Sequence, residues 1–332
     1  MAETLGQQQP GRKTDERLSF VQIAINTCDP AGTLRLYSEV FGAISGGGNA
    51  FWGGATRSQG LNDDARGTVW WLVGRQPFLQ FEIFQHTFPA QRPLPEGHRP
   101  CDIGWTRYGL AVADFDQALA ALKRNRVPTI TDPIMVDGLR RVAFHDPFVG
   151  AVVEILEDGT AVPGRTAPYS PDPRPAIVYA ACSVSDLEAA REFYGKMLGL
   201  DIGPREILHR PEHEALWGLE GAQTSGFVVR MGDRFIEVVE YRTPKGRPKP
   251  SDHKITDQGI MNIALGSRNI PFIRELHARF REQGVTLTPA FGNDDAMASY
   301  IIDPEREIEL IGLSETYDEV FGFVPGKPFF DQ

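Results

Sequence analysis

The chain has 332 residues, 41% apolar and 23% charged, with a net charge of −10 and a pI near 5.3. That acidic balance argues against a surface built for nucleic acid or anionic lipid, which needs clustered Lys and Arg. The length suits about two domains, no apolar run approaches the roughly 18 residues of a membrane helix, and three sparse cysteines, Cys28, Cys101 and Cys182, point to free thiols in a reducing cytoplasm.

Residues 1–17 are polar, carry Gly and Pro, lack the apolar core of a signal peptide, and read as a disordered arm. "SFVQIAI" then alternates as a strand does. After Asp29, Leu34, Tyr37, Val40 and Phe41 fall at helical spacing, and Gly42 is a plausible stop. "GGG" at Gly46–Gly48 has no P-loop context and reads as a flexible lid or turn. The strands "GTVWWLV" and "FLQFEIF" follow; successive strand residues face opposite ways, so only one of Trp70 and Trp71 can line a given surface. Most of the rings here, with Phe51 and the later Trp217 and Phe227, read as packing residues. "FPAQRPLPEGHRPCDIG", residues 88–104, reads as an ordered extended crossing. "TRYGLAVADFDQALAALKRNRV" restarts the strand–helix order, with Ala118, Leu119 and Leu122 on one helical face. "RRVAFHDPFVGAVVEILE" closes it as a hairpin around Asp-Pro. Residues 158–175 hold five prolines and read as an extended connector.

The pattern then recurs. "VYAACSVSDLEAAREFYGKMLG" matches "VQIAINTCDPAGTLRLYSEVFG" at an offset of 157, through Asp29/Asp186, Tyr37/Tyr194 and Gly42/Gly199. Glu82/Glu237, Arg107/Asn262 and Glu154/Glu309 match at 155. Landmarks in one order at a nearly constant offset mark a tandem duplication. Each half repeats internally, which gives four βαβββ-like modules, paired two and two in an α+β architecture. The expected organisation is an arm over 1–17, a first domain over 18–157, a linker over 158–175, a second domain over 176–315 and a tail over 316–332. The tail is rich in aromatic residues and is expected to pack on an edge, a cup mouth or a subunit partner.

"DLEAAREFYGKMLG", followed by "IEVVE" and "DPEREIEL", resembles the vicinal oxygen chelate superfamily, which includes glyoxalases, extradiol dioxygenases and bleomycin-binding proteins. The resemblance spans roughly residues 18–314 and implies that paired modules curl their sheets into cups. It also implies that a divalent metal (Mg, Mn, Fe or Zn) is bound by glutamates on the last strands and by a residue, commonly His, seven positions before the helix-opening Asp. The glutamates are Glu82, Glu154, Glu237 and Glu309. The first-strand positions are Gln22, Arg107, Tyr179 and Asn262, and none is His. An iron site of the oxygenase type wants two His and a carboxylate, so the set departs from ring-cleaving chemistry. His209 and His213 are separated by Pro211 and make a poor helical pair.

With each half closing its own cup, the first would hold Gln22, Glu82, Arg107 and Glu154, either as an Arg clamp for substrate or as a satisfied ionic core. The second would hold Tyr179, Glu237, Asn262 and Glu309, with no cation to neutralise its carboxylates. Those two could bind a hard cation or share acid and base roles, with Tyr179 and Asn262 polarising oxygen. The Asp-Pro-to-Glu spacing is eight residues in one half and six in the other, which leaves Glu154 and Glu309 exposed to a register slip. The expected function is lyase- or isomerase-type proton transfer beside a carbonyl, on an apolar or aromatic small molecule. Two other readings stay open: metal-free sequestration of a ligand, and a dioxygenase relative with an unusual ligand set. The expected partners are a small-molecule substrate and, in a homodimer, a second copy of the chain, with no nucleic acid and no membrane.

Overall fold

The computed structural model describes residues 18–159, 161–164 and 172–327. The expected N-terminal arm, part of the linker and the last five residues of the tail lie outside the described residues.

The first module runs β1 (Ser19–Asn26), α1 (Pro30–Phe41), β2 (Ile44–Trp52), α2 (Gly54–Ser58), β3 (Arg66–Val73) and β4 (Gln80–Phe88). The second runs β5 (Gly104–Val112), α3 (Phe115–Arg124), β6 (Ile134–Val136), β7 (Leu139–His145) and β8 (Val152–Glu157). The third has β9 (Ala176–Ser183), α4 (Leu187–Arg191, extended by a π-helical segment to Met197), β10 (Asp201–Pro204), β11 (Gln223–Met231) and β12 (Arg234–Thr243). The fourth has β13 (Gly259–Ser267), α5 (Ile270–Glu282), β14 (Phe291–Asn293), β15 (Ala296–Ile301) and β16 (Ile308–Leu313).

The repeated Asp has a local cause. Asp29, Asp114 and Asp186 each accept a hydrogen bond from a backbone N–H in the first turn of the following helix, the N-cap role that offsets an orphan donor. Asn269 caps α5 in the same way, so the fourth module keeps the device with an amide. The Asp-Pro turns also share a cause: Asp146 accepts from the N–H groups of Phe148 and Val149, and Asp303 from those of Glu305 and Arg306. The Tyr37 hydroxyl donates to Asp146 at 2.9 Å, tying helix to turn.

The modules form two eight-stranded sheets. One has the order β14-β15-β16-β13-β1-β4-β3-β2 and the other β10-β11-β12-β9-β5-β8-β7-β6. The first module therefore pairs with the fourth, and the second with the third. The expectation that each half closes its own cup is corrected. β1 joins β13, and β5 joins β9, in antiparallel register, while β1–β4 and β13–β16 run parallel. The main core lies between the sheets, where α1 and α3 pack together and Tyr37, Phe41, Phe81, Tyr108, Phe144 and Phe280 are buried.

Residues 88–104 and 243–259 carry the chain from one sheet to the other and clasp each other. Arg92 bonds Asp257 at 2.6 and 2.9 Å, and Arg247 bonds Asp102 at 2.6 and 3.1 Å, a reciprocal pair at the repeat offset of 155. "GGG" is strand rather than lid: it lies in β2, and a Cβ on Gly46 would meet the Gly322 carbonyl oxygen at 2.6 Å, so the bare backbone admits the C-terminal segment.

Candidate functional site

In the cup of the first and fourth modules, β1 lies between β4 and β13. Ala24 sits opposite both Glu82 and Asn262, Gln22 opposite Gln80, and Ala264 opposite Glu309. Small residues at the crossing leave room for the long side chains to meet. Gln22 donates from one amide nitrogen to Glu82 at 2.6 Å and to Glu309 at 3.0 Å. Trp71 donates to the other Glu82 oxygen at 3.1 Å, and Gln80 donates to the Gln22 carbonyl at 2.9 Å. The Asn262 amide lies beside Glu309 but closes no hydrogen bond among the described residues; Gln80 Oε1 is likewise buried and unpartnered.

Neither carboxylate has an ion-pair partner among the described residues, and no described Lys, Arg or His lines the cavity they face. Burial and the charge of Glu309 raise the pKa of Glu82 well above the carboxylate range, against the Trp71 and Gln22 bonds. Burial lifts Glu309 to about 7, against the pull of Tyr300, Gln22 and Asn262. This is the physics of a carboxylate pair that shares a proton near neutral pH.

The cavity above the pair has a volume of about 400 Å³. Phe51, Trp71 and Phe84 wall it from the first module, and Met297 and Tyr300 from the fourth. The described part of the tail closes one side through Val320, Phe321 and Phe323. It is held by Arg268 on Asp318 at 2.7 and 2.8 Å and by the Gly326 N–H on the Ser45 carbonyl. Of the expected sites for the tail, it takes the cup mouth. Trp71 faces the cup while Trp70 is 40% exposed on the opposite side, as alternation predicts.

The cup of the second and third modules is filled. A 3₁₀ helix, residues Pro211–Trp217, inserts Trp217, and His209 just before it reaches inward. Arg107 bonds Glu237 at 2.7 Å and Tyr241 at 3.2 Å, and its guanidinium lies 3.9 Å from the centre of the Trp217 ring. His209 bridges Glu237 and Glu214. Glu154 accepts from Arg141, Tyr179 and Trp217. Against burial, Arg107 and His209 hold Glu237 down at about 2, and Arg141 lowers Glu154. A Cβ on Gly109 would meet the Tyr179 ring at 2.3 Å, so glycine opposite Tyr179 makes space for that ring. This is the satisfied ionic core expected for the Arg107 cup, with different members.

The expected quartet Tyr179, Glu237, Asn262 and Glu309 is thus divided. Glu309 and Asn262 join Gln22 and Glu82 in the open cup. Tyr179 and Glu237 join Arg107 and Glu154 in the filled one, where Arg107 neutralises Glu237 and is not free to clamp a substrate. Both last-strand glutamates hold the inward face. The spacing difference is two residues, and an even shift preserves strand facing: Glu154 lies opposite Ala143, and Glu309 opposite Tyr300. Sequence reasoning missed Gln80, Tyr300, Arg141, Glu214 and the inward reach of His209. Gln80 carries a signal in hindsight, two residues before Glu82 on one strand face.

No protein-family model and no curated protein matches the chain. Among solved structures it is similar to glyoxalase I of Zea mays, at 14% identity over 89% of this chain and 92% of that one, with a TM-score of 0.57. It is also similar to a candidate dioxygenase of Bacillus subtilis, at 14% identity over 94% and 98%, with a TM-score of 0.59. At that identity the likeness concerns fold. The chain has the tandem vicinal oxygen chelate fold, with four βαβββ modules in two cups.

That fold family implies a divalent metal. In the open cup the residues fit one: two carboxylates without a cation and the unpartnered Asn262 oxygen, while Gln22 turns its NH2 to the carboxylates and gives its carbonyl to Gln80. An all-oxygen donor set suits a hard cation. The filled cup does not fit, because its carboxylates are already bonded to Arg107, Arg141 and His209. Among the described residues no helix is long and apolar enough to cross a membrane.

Proposed function

We propose that the chain is an enzyme of lyase or isomerase type that moves a proton at a carbon beside a carbonyl, in the cup of Glu82 and Glu309. The observation that carries this is the pair of bridged, uncompensated carboxylates at the base of an aromatic-walled cavity. One carboxylate, ionised, takes the proton from carbon. The other, protonated, returns one to carbon or oxygen. The carboxyl that holds the proton and the Tyr300 hydroxyl, both at the cavity wall, are the groups that would stabilise the developing enolate oxygen. A divalent metal held by Glu82, Glu309 and the Asn262 oxygen would supply electrophilic polarisation of that oxygen. The aromatic walls exclude water and favour an apolar or aromatic substrate.

Solvent deuterium incorporation into 2-hydroxyacetophenone, followed by NMR, tests this reading. Wild type exchanges the proton beside the carbonyl, and Glu82→Gln and Glu309→Gln each slow exchange by roughly 10²–10⁴-fold. Full exchange in both variants would sink the proposal. Saturable binding with no exchange in wild type would favour the sequestration reading, which the tail-closed cavity also suits. Ring cleavage is disfavoured because the four first-strand positions offer no His.

A further inference from the structure

The rim and walls of the open cup define the charge of what it accepts. Large apolar side chains are exposed at eight described positions, and three of them, Trp52, Phe291 and Val320, stand around this one cavity. They come from β2, from β14 and from the tail, so the mouth is apolar on three sides. Inside, Phe51 and Phe84 meet edge to face at 5.2 Å. The polar groups that line the cavity are amides and hydroxyls (Asn49, Ser58, Gln59, Gln80, Tyr300) besides Gln22 and the two glutamates. Arg57, which starts near the rim on α2, turns to Asp63 at 2.6 Å. The described lining therefore carries no positive group to receive a carboxylate, phosphate or sulfonate, and its base repels one.

We infer that the substrate is an uncharged aromatic carbonyl compound, and that the cup discriminates against ligands with an anionic handle such as a glutathionyl or phosphoryl group. The inference rests on the reading of this cup as the working site. It adds a charge class to that reading and names Glu82 and Glu309 as the residues that enforce it, with Trp52, Phe291 and Phe321 as the walls that take the ring. The preference belongs to the metal-free cup; a divalent cation at the carboxylates keeps open positions that accept an anionic oxygen and is expected to narrow it.

Isothermal titration of the full chain, once with chelator and once with Mg²⁺, uses three probes. These are 2-hydroxyacetophenone, uncharged; benzoylformate, of similar size and anionic; and S-benzylglutathione, aromatic with an anionic handle. The expected result with chelator is that 2-hydroxyacetophenone binds about tenfold or more tighter than either anion, a gap of roughly 1.4 kcal/mol, and that Mg²⁺ narrows the gap. In the Glu82→Gln, Glu309→Gln double variant the gap narrows by about threefold or more because the repulsion is gone. Trp52→Ala and Phe291→Ala weaken the uncharged probe by about threefold or more, because they take its ring. Equal or tighter binding of either anion with chelator present overturns the inference, as does the absence of saturable binding by 2-hydroxyacetophenone. A neutral preference without deuterium exchange removes the proton-transfer reading and leaves this inference standing for a binding protein.

Discussion

Glu82 and Glu309 occupy the positions that the strand pattern marks, and their environment makes a pH signature. Both have folded pKa values above the ordinary 4.5, with Glu309 near 7. Between about pH 4.5 and 7 the folded protein holds a proton that the unfolded chain has released. The stability tied to Glu309 is therefore fullest below that window and is lost as pH rises through it. With chelator present, Glu309→Gln is expected to raise stability at pH 8 by roughly 1–3 kcal/mol and to change it little at pH 4.5. Chemical denaturation at the two pH values checks this, and an equal effect at both would refute it. The first-strand positions are legible in the sequence because each lies seven residues before a helix cap, and the glutamates because they recur at an offset of 155. Their neutralisation is not legible: Arg107 and Glu237 stand 130 residues apart and meet only through the β12–β9–β5 pairing.

At the level of elements, the 3₁₀ helix Pro211–Trp217 decides which cup is open. Pro211 at its first turn, the feature that argues against a long helical His pair, starts this short one. Its Trp217 stacks under Arg107 and donates to Glu154. In the open cup the short helix α2, in the first module, lies at the side and leaves a cavity. Arg107→Leu is expected to cost about 3 kcal/mol, toward the low end for breaking a buried pair because His209 still faces Glu237. The same variant should leave binding of 2-hydroxyacetophenone within about twofold, since sites that share no partner add independently. Urea denaturation and calorimetry read the two quantities, and a loss of binding without a loss of stability would contradict the assignment of cups. Helices and their caps are legible in the sequence through Asp29, Asp114 and Asp186. The plug is less so, because a seven-residue 3₁₀ segment has no periodicity long enough to mark it.

Across the whole molecule, the repeat and the four modules follow from the offsets, but the partner choice does not. The first strand of every module presents an equivalent edge, and an offset of 155 is unchanged when partners are exchanged. In the observed arrangement the crossings at 88–104 and 243–259 are held against each other by the Arg92–Asp257 and Arg247–Asp102 bonds. One consequence can be tested: residues 18–157 alone leave both β1 and β5 without the strands β13 and β9 that cover them. Light scattering is expected to find no folded monomer of that half, and mixing with residues 172–327 should restore a one-to-one complex with the single unfolding transition of the intact chain. A stable, cooperative monomer of either half would refute the interleaved arrangement. The same interleaving orders events on the ribosome. The filled cup needs only residues 104–243 and can close while a quarter of the chain is still unmade, whereas the open cup joins the first strands synthesised to the last, β16 and the segment after it. Every residue of the ionic core is synthesised before Glu309, so Glu82 and Glu309, the pair proposed as the working site, can meet only when translation is nearly over. A chain cut short by a premature stop after residue 243 would therefore hold every residue of the ionic core and lack Glu309.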